Sequence, residues 1–169
     1  MTLWPVPPIG RNRSLTAVRG LSSICPLIGW TNRMATQNGP LQRPLAVMMC
    51  RTLRTIGPDA TLLEAARAMR EAKVGALLVR EAGRYSGLVS ESDLVRKGMA
   101  EAQPAEQTLV RAVMSSPLLS IDSASSAHEA SEIMAEQGIR HLAVSDEGQI
   151  VGIISIRDLL RYFKNWGGL

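Results

Sequence analysis

Between Ala46 and Phe163 the apolar positions follow two rhythms, and the same order of rhythms occurs twice. An extended run, "TLRTI", precedes "TLLEAARAMREA", in which Ala65, Met69 and Ala72 recur at helical spacing. Two short apolar runs follow, "ALLV" and "YSGLV", separated by "REAGR", where Gly83 suits a hairpin turn. The segment "ESDLVRKGMA" then reads as a second helix. The later half repeats the order: "PLLSI", "SAHEASEIMAEQG", "HLAV", "VGIIS" and "IRDLLRYFKNW", with Gly148 in the second turn. Both first helices open on an S/T-x-x-E box, Thr61 with Glu64 and Ser126 with Glu129. In such a box the hydroxyl and the carboxylate satisfy backbone N–H groups that have no helical partner.

Shifted by 65 residues, Met49–Arg96 aligns without a gap onto Met114–Arg161. Leu53/Leu118, Ile56/Ile121, Glu64/Glu129, Met69/Met134, Val79/Val144, Gly87/Gly152, Ser90/Ser155 and Asp93/Asp158 are among the identities. Gap-free self-similarity over this length signals two copies of one β-α-β-β-α unit. One unit is too small to close a good core, so the two are expected to pack together in a mixed α/β (α+β) fold.

Charge divides the chain differently. Seven of the 19 basic residues and none of the 15 acidic ones lie between Met1 and Pro58, so the remainder carries twelve against fifteen. The net charge of +4 therefore belongs to the leader. Its basic residues are scattered among prolines and glycines rather than set on a folded face, which argues against a nucleic-acid binder. The leader, residues 1–45, reads as a basic disordered extension, or as translation begun upstream of Met34 or Met48. Its acid-free, Arg- and Ser/Thr-containing composition also fits a mitochondrial transit peptide. A cytoplasmic location is expected otherwise, with the mitochondrial matrix as the alternative. No apolar run reaches the length of a membrane span. Two cysteines, Cys25 and Cys50, make no disulfide framework, and no Cys/His spacing resembles a metal site. No nucleophile–base or paired-carboxylate constellation is placed for catalysis, so an enzyme is not expected.

The candidate chemistry lies in "GLVSESD" and "GIISIRD", Gly87–Asp93 and Gly152–Asp158. Ser90 and Ser155 fall where a strand gives way to a helix, where Ser-x-x-Asp acts as a capping box and the glycine permits close packing. The same geometry also suits a ligand. A helix N-terminus receives phosphate, and a carboxylate matches a sugar diol. The two roles are compatible.

The doubled Gly-h-h-Ser-x-x-Asp motif, the element order and "GIRHLAV" together resemble the CBS domain, named after cystathionine β-synthase. Two in tandem resemble a Bateman module, here spanning 46–100 and 110–165 with pseudo-two-fold packing. The resemblance implies clefts between the repeats that take an adenosine-containing ligand: AMP, ADP, ATP or S-adenosylmethionine. It assigns Asp93 and Asp158 to ribose and Ser90 and Ser155 to phosphate. It assigns the adenine slot to Thr55, Ile56, Ala76 and Leu77 in one copy, and to Ser120, Ile121, His141 and Leu142 in the other. Arg140 matches a phosphate-binding arginine of nucleotide-sensing members. Arg157 lies at a helix start, where a cation is unfavourable unless an anion is near. In the first copy Gly75 replaces Arg140, Ser92 replaces Arg157, and Glu91 adds negative charge. The cleft holding Arg140, Ser155, Arg157 and Asp158 is therefore the expected nucleotide site. The resemblance further implies a homodimer and an effector protein of unknown identity. It requires no obligatory cofactor, and a ligand-free interaction module is the alternative.

Overall fold

A computed structural model of the chain describes residues 43–166. The expectations for the leader up to residue 42 lie outside them. The first repeat contains β1 (Thr55–Ile56), α1 (Leu62–Ala72), β2 (Ala76–Glu81), β3 (Arg84–Ser90) and the short α2 (Glu91–Asp93). A four-residue helix, α3 (Val110–Val113), opens the second repeat, which continues with β4 (Ser120–Asp122), α4 (Ala127–Gln137), β5 (His141–Asp146), β6 (Gln149–Ser155) and α5 (Ile156–Trp166). Each repeat forms a three-stranded sheet, ordered β1-β2-β3 or β4-β5-β6. The first pair of strands is parallel and the second antiparallel. The internal symmetry extends to the register. Thr55 faces Leu78 and Ser120 faces Ala143; both sheets carry an irregularity, after Val79 and after Val144.

The local signals in the sequence act as expected. Thr61 Oγ1 accepts from the Glu64 N–H at 3.2 Å while the Thr61 N–H donates to Glu64 Oε2 at 2.7 Å; Ser126 and Glu129 reproduce both bonds. These bonds hold the Glu64 and Glu129 carboxyls below their usual pKa, the backbone donor contributing most. Both hairpins turn through two residues of positive φ, Ala82–Gly83 and Glu147–Gly148, the combination that matches strand twist in a two-residue turn.

Neither core is closed by its own repeat. Leu62, Ala65, Met69, Leu77, Val79 and Val89 pack with Val110 and Val113, which lie ahead of β4. Ala130, Met134, Leu142, Val144, Ile154 and Leu159 pack with Leu45 and Met49, which lie ahead of β1. The backbone makes the same exchange. Leu88 and Ser115 exchange two N–H···O bonds (3.0 and 2.8 Å), and Cys50 and Ile153, related to them by the 65-residue shift, exchange two more (2.9 and 3.0 Å). Gly87 and Gly152 sit beneath these crossings. A β-carbon at Gly87 would lie 2.6 Å from the Ser115 carbonyl oxygen, and one at Gly152 would lie 2.9 Å from Met49 Cγ. The motif glycine is thus a contact point between repeats.

Two expectations are corrected. The folded body begins before Ala46: Leu45 is fully buried, and its N–H donates to Ser125 O at 2.9 Å. Leu45, the last residue of the expected extension, is therefore core. The helix expected over "ESDLVRKGMA" is α-helical only across α2 and continues as a π-helix, Leu94–Met99. The wider coil carries Gly98 against α1, where a β-carbon would meet Leu62 Cδ1 at 2.9 Å. Its counterpart α5 is regular.

Candidate functional site

The motif pair caps its helices in both copies. The Ser90 hydroxyl donates to Asp93 Oδ2 at 2.6 Å and accepts from the Asp93 N–H at 3.3 Å, while the Ser90 N–H donates to Asp93 Oδ2 at 3.0 Å. Ser155 and Asp158 repeat all three distances. A further N–H at each helix start is also occupied: Glu91 donates to Gly75 O at 3.0 Å and Ile156 to Arg140 O at 2.9 Å. With these donors committed to protein acceptors, cationic side chains must supply most of any attraction for phosphate.

Two clefts lie between the repeats, related by the same 65-residue shift. One, about 290 Å³, is lined in the second repeat by Arg140, His141, Ser155, Arg157, Asp158 and Arg161. From the first repeat it takes Arg54, Lys73, Gly75, Ala76, Leu78 and Glu91. Five cations here line the cleft with two carboxylates, and the volume lies near the lower end for small-molecule pockets. The other, about 810 Å³, is lined by Ser90, Ser92, Asp93, Arg96 and Lys97 with Ser115–Leu119 and Gln137–His141. Arg140 and His141 line both clefts.

The carboxylates differ although their caps are the same. Asp93 Oδ1 receives Lys97 Nζ at 2.8 Å and the Ser115 hydroxyl at 3.4 Å, and Lys97 also donates to Val113 O at 2.7 Å. Burial would raise the Asp93 pKa, but the hydrogen bonds from Lys97 and Ser90 outweigh it and hold the carboxyl below its ordinary value. The counterparts of Lys97 and Ser115 are Tyr162 and Cys50. Tyr162 is buried in the second core, and its hydroxyl finds no hydrogen-bond partner among the described residues. Asp158 Oδ1 has the Arg161 guanidinium at 3.9 Å, and the Asp158 side chain is 28% exposed against 11% for Asp93. One carboxylate has both oxygens engaged by protein donors; the other presents an oxygen to the cleft.

The structure therefore brings Ala76, Arg140, His141, Ser155, Arg157 and Asp158 to one cleft, and Ser90, Asp93, Arg140 and His141 to the other. Thr55, Ile56, Leu77, Ser120, Ile121 and Leu142 line neither. Strand alternation is the reason for Leu77. It turns into the first core, whereas Ala76 and Leu78 turn to the cleft. Leu142 and Ile121 likewise belong to the second core. Around β1 and β4 the cleft walls come from slightly earlier residues, Thr52 and Arg54 in one case and Pro117–Leu119 in the other.

Glu91 also moves. Instead of burdening the Asp93 cleft it lines the Asp158 cleft, because α2 starts against Gly75. At Gly75 a β-carbon would stand 3.2 Å from Glu91 Oε2 and 3.3 Å from His141 Cε1, so the missing side chain makes room for both. Burial foremost, then the Arg140 charge, lowers the His141 pKa below 6.5 against the opposing pull of Glu91 and Asp158. The imidazole is thus neutral at pH 7. Arg54, Lys73 and Arg161 were not singled out from the sequence. Arg161 shares a helix face with Arg157 and Asp158, a readable signal. Arg54 and Lys73 reach the cleft from the other repeat. Among the described residues no group of His, Cys, Asp and Glu is disposed to hold a metal ion, and no helix is long and apolar enough to cross a membrane.

The family model of the CBS domain matches residues 46–100 and again 110–165. The CBS domain-containing protein YhcV of Bacillus subtilis is 35% identical over 111 residues, covering 66% of this chain and 79% of that protein. An uncharacterized protein of Methanopyrus kandleri is 32% identical over 113 residues; the match covers 66% of this chain and 58% of the relative's length. Among solved structures, a CBS-domain containing protein from Agrobacterium tumefaciens superposes with a TM-score of 0.69 at 28% identity, covering 77% of this chain and 98% of that one.

Proposed function

This chain belongs to the CBS-domain family as a tandem pair, and we propose that it is a non-enzymatic regulatory module whose Asp158 cleft takes an adenosine-containing ligand. Proteins built on such pairs are generally regulatory or sensor modules. The adenosine ligand is the finer reading, and one observation carries it. Asp158 keeps a carboxylate oxygen toward a cleft with five cations, whereas Lys97 and Ser115 engage the corresponding oxygen of Asp93.

In this reading the Asp158 carboxylate accepts from both hydroxyls of the ribose. The cations stand on the phosphate side, since a carboxylate repels phosphate. Ala76, Leu78 and the neutral His141 offer an apolar and hydrogen-bonding wall for the base. Arg54 and Lys73 come from one repeat, Arg157 and Arg161 from the other, so a phosphorylated ligand draws the two repeats together. It biases their arrangement only by the difference in its affinity for the two states. That arrangement is what an effector protein, or a second copy of the chain, would read. Exposed Val95 and Leu160, equivalent positions in the two repeats, give apolar surface for such a contact.

The Asp93 cleft supports the other reading, a ligand-free structural element, because its carboxylate is already neutralised. Melting temperatures recorded with AMP, ADP, ATP and S-adenosylmethionine test the proposal. At least one should raise the melting temperature, and Asp158→Ala should abolish the rise. No response to any of the four would leave only the interaction module.

A further inference from the structure

Arg140 stands in the lining of both clefts. Its guanidinium donates to the Ser92 hydroxyl, at the helix start of the opposite repeat and in the lining of the Asp93 cleft. The 65-residue shift gives this link no twin, because Arg140 corresponds to Gly75 and Ser92 to Arg157. Two clefts are thus served by one arginine at this position, and its hydrogen bond runs to the Asp93 side.

We infer that Arg140 is a shared cation for which the two clefts compete: an anionic ligand in the Asp158 cleft recruits it from Ser92. The inference rests on the Asp158 cleft being the nucleotide site. An arginine on an exposed, flexible stem exchanges a neutral acceptor for a charged one readily, since hydrogen bonds to ionised acceptors are roughly twice as strong. Recruitment has two consequences. It breaks a hydrogen bond that ties the repeats together, converting occupancy into a change at their junction. It also removes a cation from the Asp93 cleft, so filling one cleft disfavours an anion in the other. By linkage the reverse holds to the same degree. Ser92 is then a negative determinant of affinity although it never touches the ligand.

A double-mutant cycle with ADP as the probe tests this by calorimetry on the full chain. Ser92→Ala frees Arg140 and should tighten ADP binding about threefold, the scale of one exposed hydrogen bond. Arg140→Gln should weaken it about tenfold, the scale of one charge-assisted contact. In the double variant the Ser92 effect should vanish, leaving an affinity within about twofold of Arg140→Gln alone. Equal binding by Ser92→Ala and the parent chain, or a Ser92 effect that persists without Arg140, overturns the inference. If ADP binds and Asp158→Asn weakens it while Ser92→Ala does nothing, the shared arginine falls and the nucleotide site stands. If the parent chain binds no ADP, both fall.

Discussion

Lys97 Nζ lies 2.8 Å from Asp93 Oδ1, and the residue that corresponds to Lys97 in the second repeat is a buried tyrosine, Tyr162. This replacement, together with Cys50 in place of Ser115, separates a carboxylate engaged by protein donors from one turned to a cleft. Lys97→Met should expose this asymmetry. It removes the bonds to Asp93 and to Val113 O, and because Lys97 is about half exposed the loss should be about 1 kcal/mol by denaturant titration. Asp93 is held below its ordinary pKa, so its contribution is present above the unfolded value near about 3.9 and disappears as pH falls through the folded value. The variant should therefore lose part of the parent's acid-limb dependence.

The motif glycines should differ in how costly they are to fill. At Gly87 an added methyl meets a backbone carbonyl, Ser115 O, which accepts the Leu88 N–H while the Ser115 N–H donates back to Leu88 O. At Gly152 the methyl's nearest neighbour is the side chain of Met49, which can move, and the backbone oxygen of Cys50 stands farther off at 3.3 Å. Gly87→Ala should cost about 2–3 kcal/mol and Gly152→Ala about 1 kcal/mol. Gly57→Ala, with nothing near it, serves as a control that should change little.

Much of this architecture is legible along the chain because it is local. Capping boxes, hairpin turns and the 65-residue repeat each depend on residues close in sequence or on self-comparison. The exchange of Leu45 and Met49 for Val110 and Val113 between the cores is not legible. It pairs short segments without a periodic pattern that lie far apart along the chain, as with Cys50 and Ile153. The bond from Arg140 to Ser92 is hidden in the same way. Two site features are legible in the local pattern. Strand alternation already sets Ala76 and Leu78 opposite Leu77, and Asp93–Lys97 is an i,i+4 pair. The π-helical turn has no signal beyond Gly98.

Lys73 closes α1 in the left-handed region at φ 54°, where its counterpart Gly138 sits at φ 62° without penalty. Lys73 also lines the Asp158 cleft. Lys73→Gly should raise stability by about 0.5–1 kcal/mol, by relieving the strained conformation. It should also weaken binding of a phosphorylated ligand. Improved stability with unchanged ADP affinity would remove Lys73 from the site.

His141 supplies a pH dependence of its own. Its folded pKa is lowered by burial and by Arg140, partly offset by Glu91 and Asp158, with Arg157 adding a smaller downward pull. Below about pH 6.5 the unfolded chain takes up a proton that the folded chain resists, so stability should fall as pH drops from there toward the folded value. His141→Gln should flatten that part of the profile. An unchanged slope between pH 6.5 and 5 would place its origin in another group.

Ser90→Ala and Ser155→Ala should each cost about 1 kcal/mol through the lost cap. Only Ser155→Ala should also weaken ADP, since only its partner Asp158 serves the proposed nucleotide cleft. Equal effects on ADP from both variants would mean the clefts are equivalent.

The most direct measurement is a calorimetric titration of ADP into the parent chain, Asp93→Asn and Asp158→Asn, reading stoichiometry and affinity together. The account predicts one ADP per chain, little change in affinity for Asp93→Asn, and a loss of at least about tenfold for Asp158→Asn, the scale of a charge-assisted pair of hydrogen bonds. Two ADP per chain, or a loss confined to Asp93→Asn, would contradict it.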